Sequence, residues 1–88
     1  MKIVFWPTAL EDYLHWQAED TRLLERVNAL LKECRRDPFR GLGKPEPLGK
    51  NMSCWWSRRI DREHRLVYRV TGSGEAQTVE VAQCRYHY

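Results

Sequence analysis

"SCWWSRRIDREHRLVYRVTGSGEAQTVEVAQCRYHY", residues 53–88, decides the fold. Runs rich in β-branched and aromatic residues are separated by two short polar breaks, "DRE" at 61–63 and "GSGE" at 72–75. Such runs read as strands, and connections this short join antiparallel neighbours. Strands are expected at 53–60, 64–70 and 78–88. In the middle one, Leu66, Tyr68 and Val70 alternate with Arg65, Val67 and Arg69. One face is therefore core and the other carries guanidiniums. The last strand changes phase: Val79 and Val81 are apolar on one phase, Ala82, Cys84 and Tyr86 on the other. A bulge near Ala82 or Gln83 would restore a single core face. Beyond it Gln83, Arg85 and His87 are expected to point together, away from the core.

The N-terminal half supplies one strand and two helices. "KIVFW" at 2–6 reads as a strand ended by Pro7. Thr8 and Glu11 have the spacing of a capping box, which predicts a helix over Ala9–Gln17. Its apolar side is expected to carry Leu10, Tyr13, Leu14 and Gln17. Leu23, Leu24, Val27, Leu30, Leu31 and Cys34 recur at spacings of three and four, the mark of an amphipathic helix. Asp20 is its expected cap and Pro38 closes it. Residues 37–52, "DPFRGLGKPEPLGKNM", contain three glycines and three prolines and read as loop. Glu46 sits between two prolines, in stiff, extended backbone. The chain is thus read as one domain, residues 1–88, of class α+β. Its order is β-α-α-β-β-β, with two helices packed on one side of a mostly antiparallel, twisted sheet.

Charge is unevenly distributed. Residues 1–31 carry −2, residues 32–69 hold eleven basic and five acidic residues for a net +6, and residues 70–88 carry −1. The middle of the chain is the expected electropositive surface, suited to a polyanion or to an acidic protein partner. Three cysteines at wide spacing make no disulfide framework, so reduced thiols in the cytoplasm are expected. No apolar run approaches the ~18 residues of a membrane-spanning helix, and no membrane partner is expected.

The outer face collects Glu46, Arg65, His87 and Tyr88, ringed by Lys44, Lys50, Arg58, Arg59, Arg62 and Arg85. A histidine can give or take a proton at neutral pH. An arginine can hold a phosphate with two parallel bonds, and a glutamate can accept a hydroxyl proton. Together these groups could cleave RNA through its own 2′-hydroxyl, without a metal or other cofactor. Each has an ordinary alternative: a surface carboxylate, a salt-bridge arginine, an inert terminal histidine. Trp55 and Trp56 face opposite sides of their strand. One is core, and the other is a stacking platform or an interface aromatic; Trp55 is assigned to the binding set. Cys54, His64, Cys84 and His87 are chemically able to bind metal but lack the short paired spacings of structural zinc sites.

Several stretches, "DYLHWQ" (12–17), "RRDPFRGLGKPEPL" (35–48), "WSRRI" (56–60), "EHRLVY" (63–68) and "QCRYHY" (83–88), resemble the YoeB/Txe family of bacterial toxins, within the wider RelE/ParE toxin fold. The resemblance runs over essentially the whole chain. It implies an endoribonuclease acting on mRNA in the A site of the 70S ribosome. Glu46 of "KPEPL" then matches the general base, and Arg65 of "EHRLVY" the cation that steadies the transition state. His87 matches the general acid, and Tyr88 the terminal tyrosine that orders the reacting groups. The products implied are a 2′,3′-cyclic phosphate and a 5′-hydroxyl. A cognate antitoxin with a flexible, acidic C-terminal segment would hold the toxin inactive. Homodimers are implied, as are operator contacts made only through the toxin–antitoxin complex. Two positions depart from the family pattern. Cys54 stands where a glycine is common, and Gly49–Lys50 exchanges the usual order that puts lysine directly after Leu48. Two other classes compete with the nuclease. One is a non-enzymatic toxin of this fold that poisons a protein such as DNA gyrase; the other is a plain RNA- or ribosome-binding module.

Overall fold

A computed structural model of the chain describes residues 1–49 and 52–87. Lys50 and Tyr88, both assigned to the site from sequence, lie outside the described residues. The described residues form β1 (Lys2–Phe5), α1 (Pro7–Glu19), α2 (Thr21–Arg36), β2 (Glu46–Pro47), β3 (Trp55–Arg59), β4 (Arg65–Thr71) and β5 (Thr78–Gln83). The strands make one sheet in the order β1-β5-β4-β3-β2. β1 runs parallel to β5, and the remaining pairs are antiparallel. The class is α+β, as the alternation of residues 53–88 implies. One element is added: the two-residue edge strand β2, inside the stretch read as loop.

The two helices cover one face of the sheet. Ala9 and Trp16 of α1, with Val27, Leu30, Leu31 and Cys34 of α2, close on Leu66, Tyr68, Val79 and Val81. Burial of each large apolar side chain contributes about 1.5–3 kcal/mol. α2 starts at Asp20, whose Oδ1 accepts the N–H groups of Arg22 and Leu23. Its last turn carries Arg35 and Arg36, which favour the negative end of the helix dipole. The Tyr13 hydroxyl donates to Asn28 and ties α1 to α2.

α1 differs from expectation at its start and in its buried face. The helix begins at Pro7, with Trp6 as an extended N-cap and no side-chain cap bond. Proline's φ is already helical, and its missing N–H falls where no helical partner exists. Thr8 therefore lies inside the first turn, and the capping box is not used. The buried face is Ala9, Asp12 and Trp16, while Leu10 and Leu14 are 46% and 50% exposed. Asp12 can be buried because its carboxylate accepts the backbone N–H of Cys84 at 3.0 Å.

The last strand ends earlier than expected, at Gln83. Val81 pairs with Tyr68 and Gln83 with Val67, leaving Ala82 as the extra residue of a bulge. Past it the chain bends through residues 84–86, so strand alternation does not continue. Arg85 consequently does not align with Gln83. Its guanidinium lies over the Tyr86 ring at 4.5 Å and beside that of Trp16 at 5.9 Å.

Candidate active site

The face left uncovered by the helices is defined by the sheet register. Glu46 is opposite Ser57, Ser57 opposite Val67, and Val67 opposite Gln83. Directly opposed residues share a face, so this row crosses four strands on one side. Two residues along, Arg59 is opposite Arg65 on the same face. Strand spacing and rise place the Cα atoms of Glu46 and Arg65 roughly 12 Å apart. Side chains of that length can meet over a single phosphodiester.

Glu46 is held by its loop. On one side of it the Arg59 N–H donates to the Gly43 carbonyl at 2.7 Å; on the other the Leu48 N–H donates to the Trp55 carbonyl at 3.0 Å. Gly43 has φ +87°, and a Cβ there would meet Leu30 and Arg58, so the loop approaches the core as only glycine allows. Lys44, next in the chain, is exposed at φ 53°. The Glu46 carboxylate itself is exposed.

Arg58 supports this loop from beneath and does not belong to the binding surface expected from sequence. It is 0% exposed. Its Nη1 donates to the Leu42 carbonyl, its Nη2 to the carbonyls of Asp37 and Arg40, and its Nε to the Tyr68 hydroxyl. Tyr68 in turn donates to Pro38. A buried guanidinium is tolerable because its donors are met. The signal was present in the sequence: Arg58 shares the strand phase of Trp56 and Ile60, the core phase, while Arg59 has the opposite one. Arg59 and Arg62 are exposed, as a phosphate-contacting role needs.

The guanidinium of Arg65 is held by the turn before β4. Its Nη1 donates to the carbonyls of Asp61 and His64, at 2.7 and 3.0 Å. Asp61 Oδ1 accepts the N–H groups of Glu63 and His64. Partial burial pushes the Asp61 carboxyl up, but these two bonds outweigh it and hold the group below its usual range. The backbone N–H of Arg65 donates to the Tyr86 carbonyl at 3.0 Å, so the terminal segment lies beside β4 at this point. His87, the next residue, is exposed. The structure thus brings Glu46 and Arg65 to one face and runs the backbone of the terminal segment alongside Arg65.

At the other end of the face, Trp55 is half-buried. The Arg69 guanidinium lies 4.7 Å from its ring centre and Trp6 meets it edge-on at 5.3 Å. Glu80 accepts from both the Trp6 indole and Arg69, and these bonds hold its carboxyl below the usual range. The Arg69 cation already occupies one side of Trp55. Trp56 packs on the core side against Phe39. Cys54 has φ 74°, the left-handed conformation that favours glycine. Among the described residues no group of three or more His, Cys, Asp or Glu is arranged to hold a metal ion. His64 instead accepts the Tyr86 N–H, and the buried Cys84 thiol lies 3.6 Å from the Ala9 carbonyl.

A small α+β domain with a basic sheet face turned away from its helices, and a bonded segment after its last strand, has close relatives among bacterial toxins. The chain belongs to the family of YoeB-like toxins of bacterial type II toxin–antitoxin systems, whose family model matches residues 5–88. It is 50% identical to Toxin YoeB of Escherichia coli (strain K12) over 88 residues, all of both chains. Among solved structures it is similar to the YoeB/ParE toxin from Agrobacterium tumefaciens, at 53% identity with a TM-score of 0.96 over the whole of both chains. It is also similar to the toxin in a heterotetrameric YoeB–YefM toxin–antitoxin complex from Staphylococcus aureus. That similarity is 42% in sequence with a TM-score of 0.87, covering all of this chain and 98% of the other.

Proposed function

We propose that this toxin is a ribosome-dependent endoribonuclease that cleaves mRNA in the A site. Glu46 takes the proton of a 2′-hydroxyl. The freed 2′-oxygen attacks the adjacent phosphorus, and Arg65 stabilises the charge that builds on the phosphorane. The bond from phosphorus to the 5′-oxygen breaks as His87 protonates the leaving oxygen, with Tyr88 ordering the reacting groups. The products are a 2′,3′-cyclic phosphate and a 5′-hydroxyl. These steps need proton transfer and a fixed cation. The observation that carries the reading is the placement of Glu46 and Arg65 on the one sheet face the helices leave open, with Tyr86 bonded to Arg65. Lys44, Arg59 and Arg62, with Lys50, would grip RNA phosphates and give position without sequence preference.

The net +6 of residues 32–69 supports an acidic antitoxin segment as the neutralising partner. A homodimer, and operator DNA contacted only through the antitoxin complex, complete this reading.

The test is end-mapping of an mRNA on stalled ribosomes with the wild-type chain, Glu46→Gln and His87→Ala. Removal of one proton-transfer group should slow cleavage by about 10²–10⁴-fold with the fold intact. Equal toxicity of the wild type and a Glu46→Gln/His87→Ala double variant would leave only a binding module or a poison of another target.

A further inference from the structure

Main-chain groups of Cys84 and Tyr86 tie the segment after β5 to the body of the protein. Asp12 accepts the Cys84 N–H at 3.0 Å, and the Trp16 indole donates to the Cys84 carbonyl at 2.8 Å. Arg65 N–H donates to the Tyr86 carbonyl at 3.0 Å, and the Tyr86 N–H donates to His64 Nδ1 at 2.7 Å. Two adjacent residues thus grip both main-chain polar groups of Tyr86: Arg65 through its main chain, His64 through its ring.

The gripped residue is in an uncommon conformation. Tyr86 has φ 65°, a region that non-glycine residues seldom enter and that surrounding bonds must hold. The ring that holds it is itself immobilised. His64 is 8% exposed and meets the Trp16 indole edge-on, with ring centres 4.8 Å apart. Its own N–H donates to Asp61, and its carbonyl accepts from Ile60 and Arg65. A ring nitrogen accepts a hydrogen bond only when it carries no proton. The contact therefore selects the neutral tautomer with its proton on Nε2.

We infer that His64 is a positioning residue for His87: its Nδ1 acceptor fixes the turned backbone at Tyr86 and so the direction in which the next residue leaves the sheet. This rests on the nuclease reading above. His64 touches no reacting atom in that scheme. It acts through Tyr86, the residue before the proposed acid, and small displacements of a reacting group are costly.

Three variants separate this role from packing. His64→Asn keeps an acceptor near the Nδ1 position, His64→Gln moves the amide to the Nε2 position, and His64→Leu removes the acceptor. Two readouts are taken on each: hydrogen exchange of the Tyr86 amide by NMR, and cleavage of ribosome-bound mRNA. His64→Leu and His64→Gln should speed Tyr86 exchange about tenfold or more and lower kcat by on the order of 10²-fold, with KM little changed. His64→Asn should recover most of both. In the wild type, the ring ¹⁵N shifts should report an unprotonated Nδ1.

Should His64→Leu not fold, the Asn–Gln pair decides alone. Equal cleavage by His64→Asn and His64→Gln would overturn the inference, as would loss of cleavage with the Tyr86 amide still protected. Absence of cleavage by the wild type would defeat the nuclease reading, with Tyr86 exchange still deciding whether His64 anchors the segment.

Discussion

The carboxylate of Asp12, in the first helix, holds the backbone N–H of Cys84, just past the last strand, across 72 residues of chain. The helix that packs on the sheet thereby also fixes the path of the terminus. Burial raises the Asp12 carboxyl above its usual range, against the opposing pull of the Cys84 N–H and the nearby Arg85 charge. Asp12→Ala would leave the Cys84 N–H buried without an acceptor and should cost about 1–3 kcal/mol in urea denaturation. Asp12→Asn keeps an acceptor and should cost less. A loss as large for Asn as for Ala would mean that the charge, not the acceptor, matters.

Adjacent arginines on β3 should behave oppositely. Arg58→Met strands the carbonyls of Asp37, Arg40 and Leu42. It should destabilise the fold by about 3 kcal/mol or more, at a cost of roughly 1–3 kcal/mol for each buried group left unpaired. Arg59→Ala, at an exposed position, should change stability by no more than about 0.5 kcal/mol while weakening RNA contact. Thermal or chemical denaturation of the two variants side by side checks this.

Cys54 carries both a conformational and a chemical expectation. A non-glycine residue at φ 74° is strained, so Cys54→Gly should stabilise the protein by about 1 kcal/mol, and Cys54→Val should destabilise it. Burial pushes the thiols of Cys34 and Cys84 up to about 11 and about 12, whereas Cys54 is exposed. Iodoacetamide at neutral pH should therefore modify the native chain at Cys54 alone, and peptide mapping would show it.

Glu33 should leave a mark on acid stability. Its bonds to Arg36, opposed by some desolvation and aided by the Leu42 N–H, lower its carboxyl from 4.5 to about 2. A depressed carboxylate stabilises the fold above its unfolded value. That contribution should fade as pH falls from 4.5 to about 2. Asp12, shifted upward from 3.8, works in the reverse sense and favours the fold as it protonates. The melting temperature of Glu33→Gln should therefore depend less steeply on acid pH than that of the wild type.

Much of this was legible in single residues. The stripe from Leu23 to Cys34 specified α2 because its period matches only a helix. The change of phase after Val81 specified a bulge, found at Ala82. Alternation along β4 put Arg65 on the outer face, since a two-residue period admits no other sorting. The face of α1 was not legible, because it is built from a small, an acidic and a polar-tipped residue, Ala9, Asp12 and Trp16, whose partners lie at the far end of the chain. Arg58 was misread by charge where phase would have placed it. The position of Glu46 over the sheet depends on a two-residue strand, Glu46–Pro47, that itself contains a proline, and no pattern so short announces itself.

The sheet order has a consequence for how the protein comes into being. β5, the last strand to leave the ribosome, inserts between β1, the first, and β4. Among the described residues β1 has no strand neighbour until β5 has been translated. A nascent chain therefore completes its sheet only after β5 has left the exit tunnel. Closing the sheet is therefore a late, long-range event of folding, and the edge of β4 stays unpaired on that side until it happens.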